Sequence, residues 1–163
     1  MKSLIFTLFE ALVMCLIYTA YLAVKIRKNA VPLVFLYPQE IQDISIKRGD
    51  ITIELIKKNR KKFVVFSYVI LISIMIISVF IVNKSRDFFS IWWQVVIFIE
   101  FFNLYDAFII DAFWVRKTKA WQIPEAEGMD YIPYGSKTKK RVAVAILAIP
   151  IAALIAGIAM LVI

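Results

Sequence analysis

Residues 88–115, FFSIWWQVVIFIEFFNLYDAFIIDAFWV, decide the fold of this chain. As a helix, the stretch is long and apolar enough to cross the ~30 Å hydrocarbon core of a bilayer. It nevertheless carries three carboxylates and an asparagine. A charged side chain inside a membrane costs several kcal/mol and persists mainly where it faces a bundle interior or a water-filled path. The stretch therefore predicts a membrane helix with one polar side that faces inward.

The polar residues of this stretch form a stripe. An α-helix places Glu100, Asn103 and Asp111 on one face, with Asp106 at its edge. Glu100 and Asp111 then lie about 16 Å apart along the axis, so they cannot share one metal ion. Asn103 lies one turn from Glu100 and from Asp106, so we expect its amide to bond one of these carboxylates. Two interpretations remain open: hydrogen bonds that hold helices together, or a site for a proton, a cation or a polar substrate.

The rest of the chain predicts a bundle around this helix. Of its 163 residues, 62% are hydrophobic, and the mean hydropathy is +0.80, far above the values of a soluble domain. Four runs reach the length of a membrane span, residues 4–24, 63–82, 88–115 and 142–163, and they lack the alternation of barrel strands. We therefore expect one all-α membrane domain, residues 1–163: a four-transmembrane-helix bundle with a small helical cytoplasmic cap.

The basic residues are distributed very unevenly between the connections. Seventeen of the 20 lysines and arginines lie in residues 25–62 and 116–141. By the positive-inside rule, both of these loops are cytoplasmic and both termini lie outside, in a multi-pass protein of the plasma membrane. The net charge is +8, but the basic clusters adjoin the spans, so we expect them to contact anionic lipid headgroups and not nucleic acid.

The residue inventory limits the chemistry. The chain has no histidine and a single cysteine, Cys15. Histidine-based acid–base catalysis, histidine-ligated metals and a disulfide framework are therefore excluded. The acidic residues of the second loop do not have the spacing of an EF-hand. We expect no metal site, no cofactor and no catalytic residue.

Glu10 is a further carboxylate inside an apolar run. As a structural residue it reaches the outer interface or bonds a neighbouring helix, and as a functional residue it adds a carboxylate to an outward-open vestibule. No lysine or arginine lies inside the four runs. We therefore expect no salt bridge to Glu100 within one protomer.

The fourth run carries alanines at helical spacing, and small residues let helices approach closely. The face contains Ala145, Ala148, Ala152 and Ala156. It can pack inside the bundle, or it can join the chain to a second copy or to another membrane protein. The sequence leaves both alternatives open.

Three short motifs resemble a group of uncharacterised four-span membrane proteins from anaerobic low-GC bacteria. They are Tyr37-Pro38-x-x-Ile41-Gln42, Asn103-Leu104-Tyr105-Asp106 with Asp111, and Ile123-Pro124-x-x-x-Glu127. The resemblance implies a four-span fold over most of the chain and carries no activity with it.

Two better-known four-span families share single features with the chain. Glu10 resembles the first-helix glutamate with which small multidrug resistance transporters exchange protons for cationic drugs, but those chains are shorter and have a weak charge bias. Asn103-x-x-Asp106 is faintly similar to a motif of the trimeric membrane glutathione transferases. Here the motif is in the third run, and no arginine precedes it. Both likenesses are analogies of topology.

The function that we expect is transport or binding. Protons, cations or a cationic amphiphile would be handled by the polar residues of the spans, namely Glu100, Asn103, Asp106, Asp111 and Glu10. One alternative is an accessory or assembly subunit that docks on membrane partners. Another is a membrane enzyme acting on a lipid headgroup, which is favoured only by the predicted position of Asp111 near the inner headgroup level.

Overall fold

The computed structural model describes residues 4–132 and 134–162. Within these ranges the chain forms helices joined by turns, and it contains no strand. Two of the α-helices continue as π-helix, in which backbone hydrogen bonds join residues five apart. The helices are α1 (Leu4–Ile26), α2 (Gln39–Lys47), α3 (Ile53–Ile76, then π-helical over Ile77–Val82), α4 (Phe88–Tyr105, then π-helical over Asp106–Val115) and α5 (Tyr134–Val162), with short 3₁₀ helices at Val31–Leu36 and Lys119–Trp121.

Three helices are long and apolar enough to cross a membrane: Leu4–Ile26, Ile53–Val82 and Lys137–Val162. The prediction of an all-helical membrane protein is confirmed at this level. Residues 88–115 form one uninterrupted helix, as predicted, but this helix is not among the three. The fourth span therefore stays a prediction.

The helix that contains the second predicted span begins at Ile53, ahead of the apolar run of residues 63–82. Thr52 has an extended backbone, and its side chain accepts a hydrogen bond from the Leu55 amide at 3.3 Å. This is the usual arrangement of a helix N-cap. The lysines and arginine of residues 57–62 therefore project from the first turns of α3, where long basic side chains can reach lipid headgroups.

The long helices pack in the order α5–α4–α1–α3. The most extensive contact joins α4 to α5, the next joins α1 to α4, and α1 also packs on α3. Within the described residues, α3 and α5 do not pack closely against each other. A groove consequently opens between these two helices, with α4 as its floor.

The alanine face of α5 is used inside the chain. Ala148, Ala152 and Ala156 are fully buried, and the last two belong to one apolar cluster with Ile91 and Phe98 of α4. The small side chains explain why α4 and α5 approach closely. Association of two copies through these alanines would require α5 to leave α4, so we do not propose it.

One end of the bundle carries a cap made by residues 27–52 and 116–132, and we call it the cap end. The Tyr37 hydroxyl donates a hydrogen bond to the Trp121 carbonyl at 2.8 Å, and the Tyr37 and Tyr131 rings meet edge to face at 4.9 Å. Arg48 reaches across to the Pro124 carbonyl at 2.6 Å. The two long loops are therefore packed against each other. The opposite end, which we call the turn end, contains the short connection of residues 83–87.

The alanine contact gives a first prediction. Ala152→Leu places a larger side chain in the buried α4–α5 contact, and such overpacking costs about 1–3 kcal/mol. We expect a lower midpoint temperature of thermal unfolding in detergent. Ala143→Leu is the matched control, because Ala143 lies exposed on the same helix. Equal midpoints for the two variants would contradict the packing of α5 on α4.

Candidate functional site

The π-helical part of the α4 helix brings Asp106 and Asp111 to the same side. In an α-helix, residues five apart point about 140° away from each other. Hydrogen bonding changes to the π pattern at Asp106 and keeps it through Val115. Because bonds between residues five apart widen each turn, residues with that spacing come close to alignment. Both carboxylates can thus face one partner on α5.

That partner is Arg141. Its guanidinium donates to Asp111 and, at 3.3 Å, to Asp106 Oδ2. Lys137 lies one turn earlier on α5, and its ammonium contacts Asp111 Oδ2 at 2.9 Å. We call these four residues the Asp106–Asp111 cluster. Two carboxylates and two cations make it neutral overall, which lowers the cost of placing it among apolar helices.

Asn103 bonds differently from our expectation. Its side-chain amide donates to the Arg141 backbone carbonyl at 3.1 Å, and it makes no hydrogen bond to Glu100 or Asp106. The predicted amide–carboxylate bond is therefore wrong. Asn103 instead fixes the backbone of α5 beside the arginine that serves both aspartates.

Glu100 stands apart from the cluster. It is half-buried, and within residues 4–132 and 134–162 it makes neither an ion pair nor a hydrogen bond. The change to π-helix at Asp106 shifts the face of every later residue relative to Glu100. Of the predicted site residues, the structure brings together Asn103, Asp106 and Asp111 only.

Glu10 lies at the turn end, in a separate polar network. Asn83 donates through its amide nitrogen to Glu10 Oε2 at 2.7 Å and to Gln94 Oε1 at 2.8 Å. Gln94 in turn donates to the Ser85 hydroxyl at 2.7 Å. Through Asn83, Glu10 is bonded to the connection that follows the α3 helix.

A small cavity and a large groove meet at Asp106. The cavity has a volume of about 130 Å³ and lies between the cluster and the cap, with Tyr37, Trp121 and Lys137 in its wall. The groove between α3 and α5 has a volume of about 540 Å³. Apolar residues line most of the groove, and charged residues stand at its cap end: Asp106, Lys140 and Arg141. The site therefore combines an apolar channel with a polar end.

The cavity wall contains neutral hydrogen-bond donors. Burial raises the pKa of Tyr37 well above its ordinary value, because the phenolate would lose its hydration. Tyr37 therefore remains neutral at physiological pH, and its one hydroxyl proton is donated to the Trp121 carbonyl. The indole nitrogen of Trp121 is buried without a hydrogen-bond partner. The wall is mixed, with apolar side chains beside the charged groups of Asp106, Asp111 and Lys137, and a cavity of this size can hold a few water molecules next to those groups.

The basic partners of the aspartates were missed by the sequence reasoning. Lys137 and Arg141 lie just before the fourth apolar run, so a search inside the runs did not find them. Their spacing of four residues was the available signal, because it places both on one face of a helix that enters the bundle. Asn83 and Gln94 were missed for a different reason, since Asn83 lies in the connection between two runs and Gln94 lies off the polar stripe of its run.

Comparisons with known proteins give no match: no protein-family model, no curated protein and no solved structure matches the chain. The resemblance of the three short motifs is therefore unsupported by a relative. Two of the motifs have a packing role here, because Tyr37 and Ile123 are buried in the cap. The Ile123 amide donates to the Tyr131 hydroxyl at 2.8 Å. The geometry of the cluster, the groove and the turn end is what supports a function.

The cluster gives a second prediction. Asp111→Asn removes the carboxylate that both Lys137 and Arg141 contact, leaving two cations for one aspartate. Because a hydrogen bond to a charged group contributes about 1.5–3 kcal/mol, we expect the free energy of unfolding in detergent to fall by about 2 kcal/mol. Glu100→Gln, the control, should change it by less than about 0.5 kcal/mol. Equal losses for the two variants would contradict the ion-pair arrangement.

Proposed function

We propose that this chain is a small four-span membrane protein that binds or transports a cationic ligand, and that Asp106 is the residue that receives it. The ligand class comprises small cations and cationic amphiphiles, and protons compete for the same carboxylate. The protein would lie in the plasma membrane, with both termini outside and the cap in the cytoplasm, where anionic headgroups surround its basic residues.

A fourth span is supported by the path of the α4 helix. Near its start, Gln94 bonds Asn83 at the turn end. Near its finish, Trp114 packs on Trp121 in the cap, with ring centroids 5.2 Å apart. The helix therefore runs the length of the bundle beside α1 and α5, which are themselves long enough to cross a membrane.

The topology can be tested by cysteine labelling in a Cys15→Ala background. We expect cysteines at Lys58 and Lys119 to react only from the cytoplasmic side, and a cysteine at Arg86 only from outside. All three positions are exposed. Labelling of positions 86 and 119 from the same side would show that the α4 helix does not cross.

The position of Asp106 carries the proposal. Asp106 borders both the groove and the inner cavity, and 38% of its side chain is exposed, against 9% for Asp111. Arg141 contacts both aspartates, so it keeps Asp111 as a partner if it leaves Asp106. The ligand can thus replace Arg141 at Asp106 without stranding a buried arginine, which would be costly.

Exchange of a proton for a cation at Asp106 conserves charge. A protonated Asp106 leaves Asp111 with Lys137 and Arg141, a cluster of charge +1. A deprotonated Asp106 that holds a monovalent cation gives the same total. Because the two species compete for one carboxylate, we expect cation binding to weaken at low pH.

The groove supplies the apolar part of the site. Its volume of about 540 Å³ lies within the usual range of about 300–1,000 Å³ for small-molecule sites. Side chains such as Leu71, Met75 and Leu147 line it and continue away from Asp106 toward the turn end. An amphiphile would therefore place its apolar body among these residues and its cationic group at Asp106.

Tetraphenylphosphonium, a permanent lipophilic cation, is a suitable probe. We expect purified protein in detergent to bind it, and Asp106→Asn to weaken the binding by about tenfold, equivalent to about 1.4 kcal/mol. Glu100→Gln serves as the control, because Glu100 is a carboxylate of the same helix that lies outside the cluster. The affinity of this variant for tetraphenylphosphonium should stay within about twofold of that of the unmodified chain. Unchanged affinity in Asp106→Asn would contradict the proposal.

A second candidate function follows from Lys140 and Arg141, which stand at the same end of the groove. These cations favour an anionic lipid, with its phosphate on the two basic residues and one acyl chain in the groove. Lys140→Gln separates the two candidate functions, because they predict opposite changes in ligand affinity. Removal of a like charge should strengthen tetraphenylphosphonium binding, whereas a phosphate site should lose affinity for phosphatidylglycerol in the same variant.

A further inference from the structure

Among the residues that the structure describes, the network at the turn end holds a buried carboxylate without a cation. Glu10 is 9% exposed, and no lysine or arginine of the described ranges forms an ion pair with it. Its one described partner is the neutral amide of Asn83, which bonds Oε2 and leaves Oε1 available. A carboxylate in apolar surroundings normally has a compensating positive charge.

Two further oxygens in this region lack hydrogen-bond partners. The Thr7 hydroxyl is buried without a partner, and so is Asn83 Oδ1. Thr7 is 0% exposed and lies one turn before Glu10 on α1, so the two side chains are neighbours on one inward face. Asn83 is bonded directly to Glu10, so its Oδ1 belongs to the same site. Such orphaned buried polar atoms call for a water molecule or an ion.

We propose that Glu10, Thr7 and Asn83 form a binding site for a monovalent cation of the sodium class. The oxygens are of three kinds, carboxylate, hydroxyl and amide carbonyl, which hard cations prefer. The single negative charge of Glu10 favours a monovalent cation, because one carboxylate balances one positive charge. Calcium sites, in contrast, gain affinity from several carboxylates. The Ser85 hydroxyl and Gln94 hold Asn83 in place from the other side of the network.

This site is independent of the Asp106–Asp111 cluster, which lies at the cap end. Failure of a cationic amphiphile to bind at Asp106 would leave the sodium site untouched. The turn end also differs in composition from the cluster, since its donors to Glu10 and Gln94 are amides and not cations.

Thermal unfolding in detergent tests the inference, with NaCl compared with choline chloride at equal ionic strength. The purified chain and all its variants carry Asp106→Asn, because this change removes sodium binding at the cap end. Because a ligand that binds the folded state stabilises it, we expect sodium to raise the midpoint temperature by about 2 °C or more once its concentration exceeds the dissociation constant several-fold. Glu10→Gln keeps the shape and the hydrogen bond from Asn83 but removes the charge, so the sodium-dependent rise should disappear. Thr7→Val, which removes only the hydroxyl, should reduce the rise by at least half.

A matched control makes the result decisive. Thr19→Val removes a hydroxyl of the same helix that already has partners in Cys15 and Tyr105, and it should keep the full sodium effect. The inference is overturned if sodium and choline give the same midpoint, if calcium stabilises more than sodium, or if the rise survives in Glu10→Gln. Should Glu10→Gln fail to fold, Thr7→Val decides: a full rise in that variant overturns the inference.

Discussion

Neutralisation of carboxylates among apolar helices is the constraint on which the rest of this structure depends. Asp106 and Asp111 are placed in a helix whose neighbours are almost entirely apolar, and unpaired charges there would cost several kcal/mol. The structure meets that cost with Arg141 and Lys137 from the first turns of α5. The change to π-helix at Asp106 lets two aspartates five residues apart face one arginine.

The two ends of the bundle treat their carboxylates differently. At the cap end, cations compensate the aspartates, and a groove and a cavity give access to Asp106. At the turn end, Glu10 receives an amide from Asn83, and buried oxygens remain without partners among the residues that the structure describes. A carboxylate that is paired with an arginine can exchange that arginine for a competing cation. A carboxylate without a paired cation needs a bound cation to balance its charge. Charge balance therefore underlies both proposed sites.

Much of the site depends on contacts between residues far apart in sequence. Asn103, Asp106 and Asp111 were recognised as candidates because polar residues stand out in an apolar run. Their partners were not recognised, since Lys137 and Arg141 read as ordinary positive-inside residues beside a span. The prediction that Glu100 and Asp111 share one face assumed an unbroken α-helix. No local pattern in residues 106–115 indicated the π-helical hydrogen bonds.

The sequence by itself determined that the chain is helical, that at least three helices suit a membrane and that the alanine face permits close packing, because hydropathy and helical spacing are properties of local sequence. Only the tertiary structure decided that the alanines pack on α4, that α3 and α5 leave a groove, and which cations reach which carboxylates. Such contacts depend on the relative positions and rotations of whole helices. A single turn of π-helix changes those rotations for every residue that follows it.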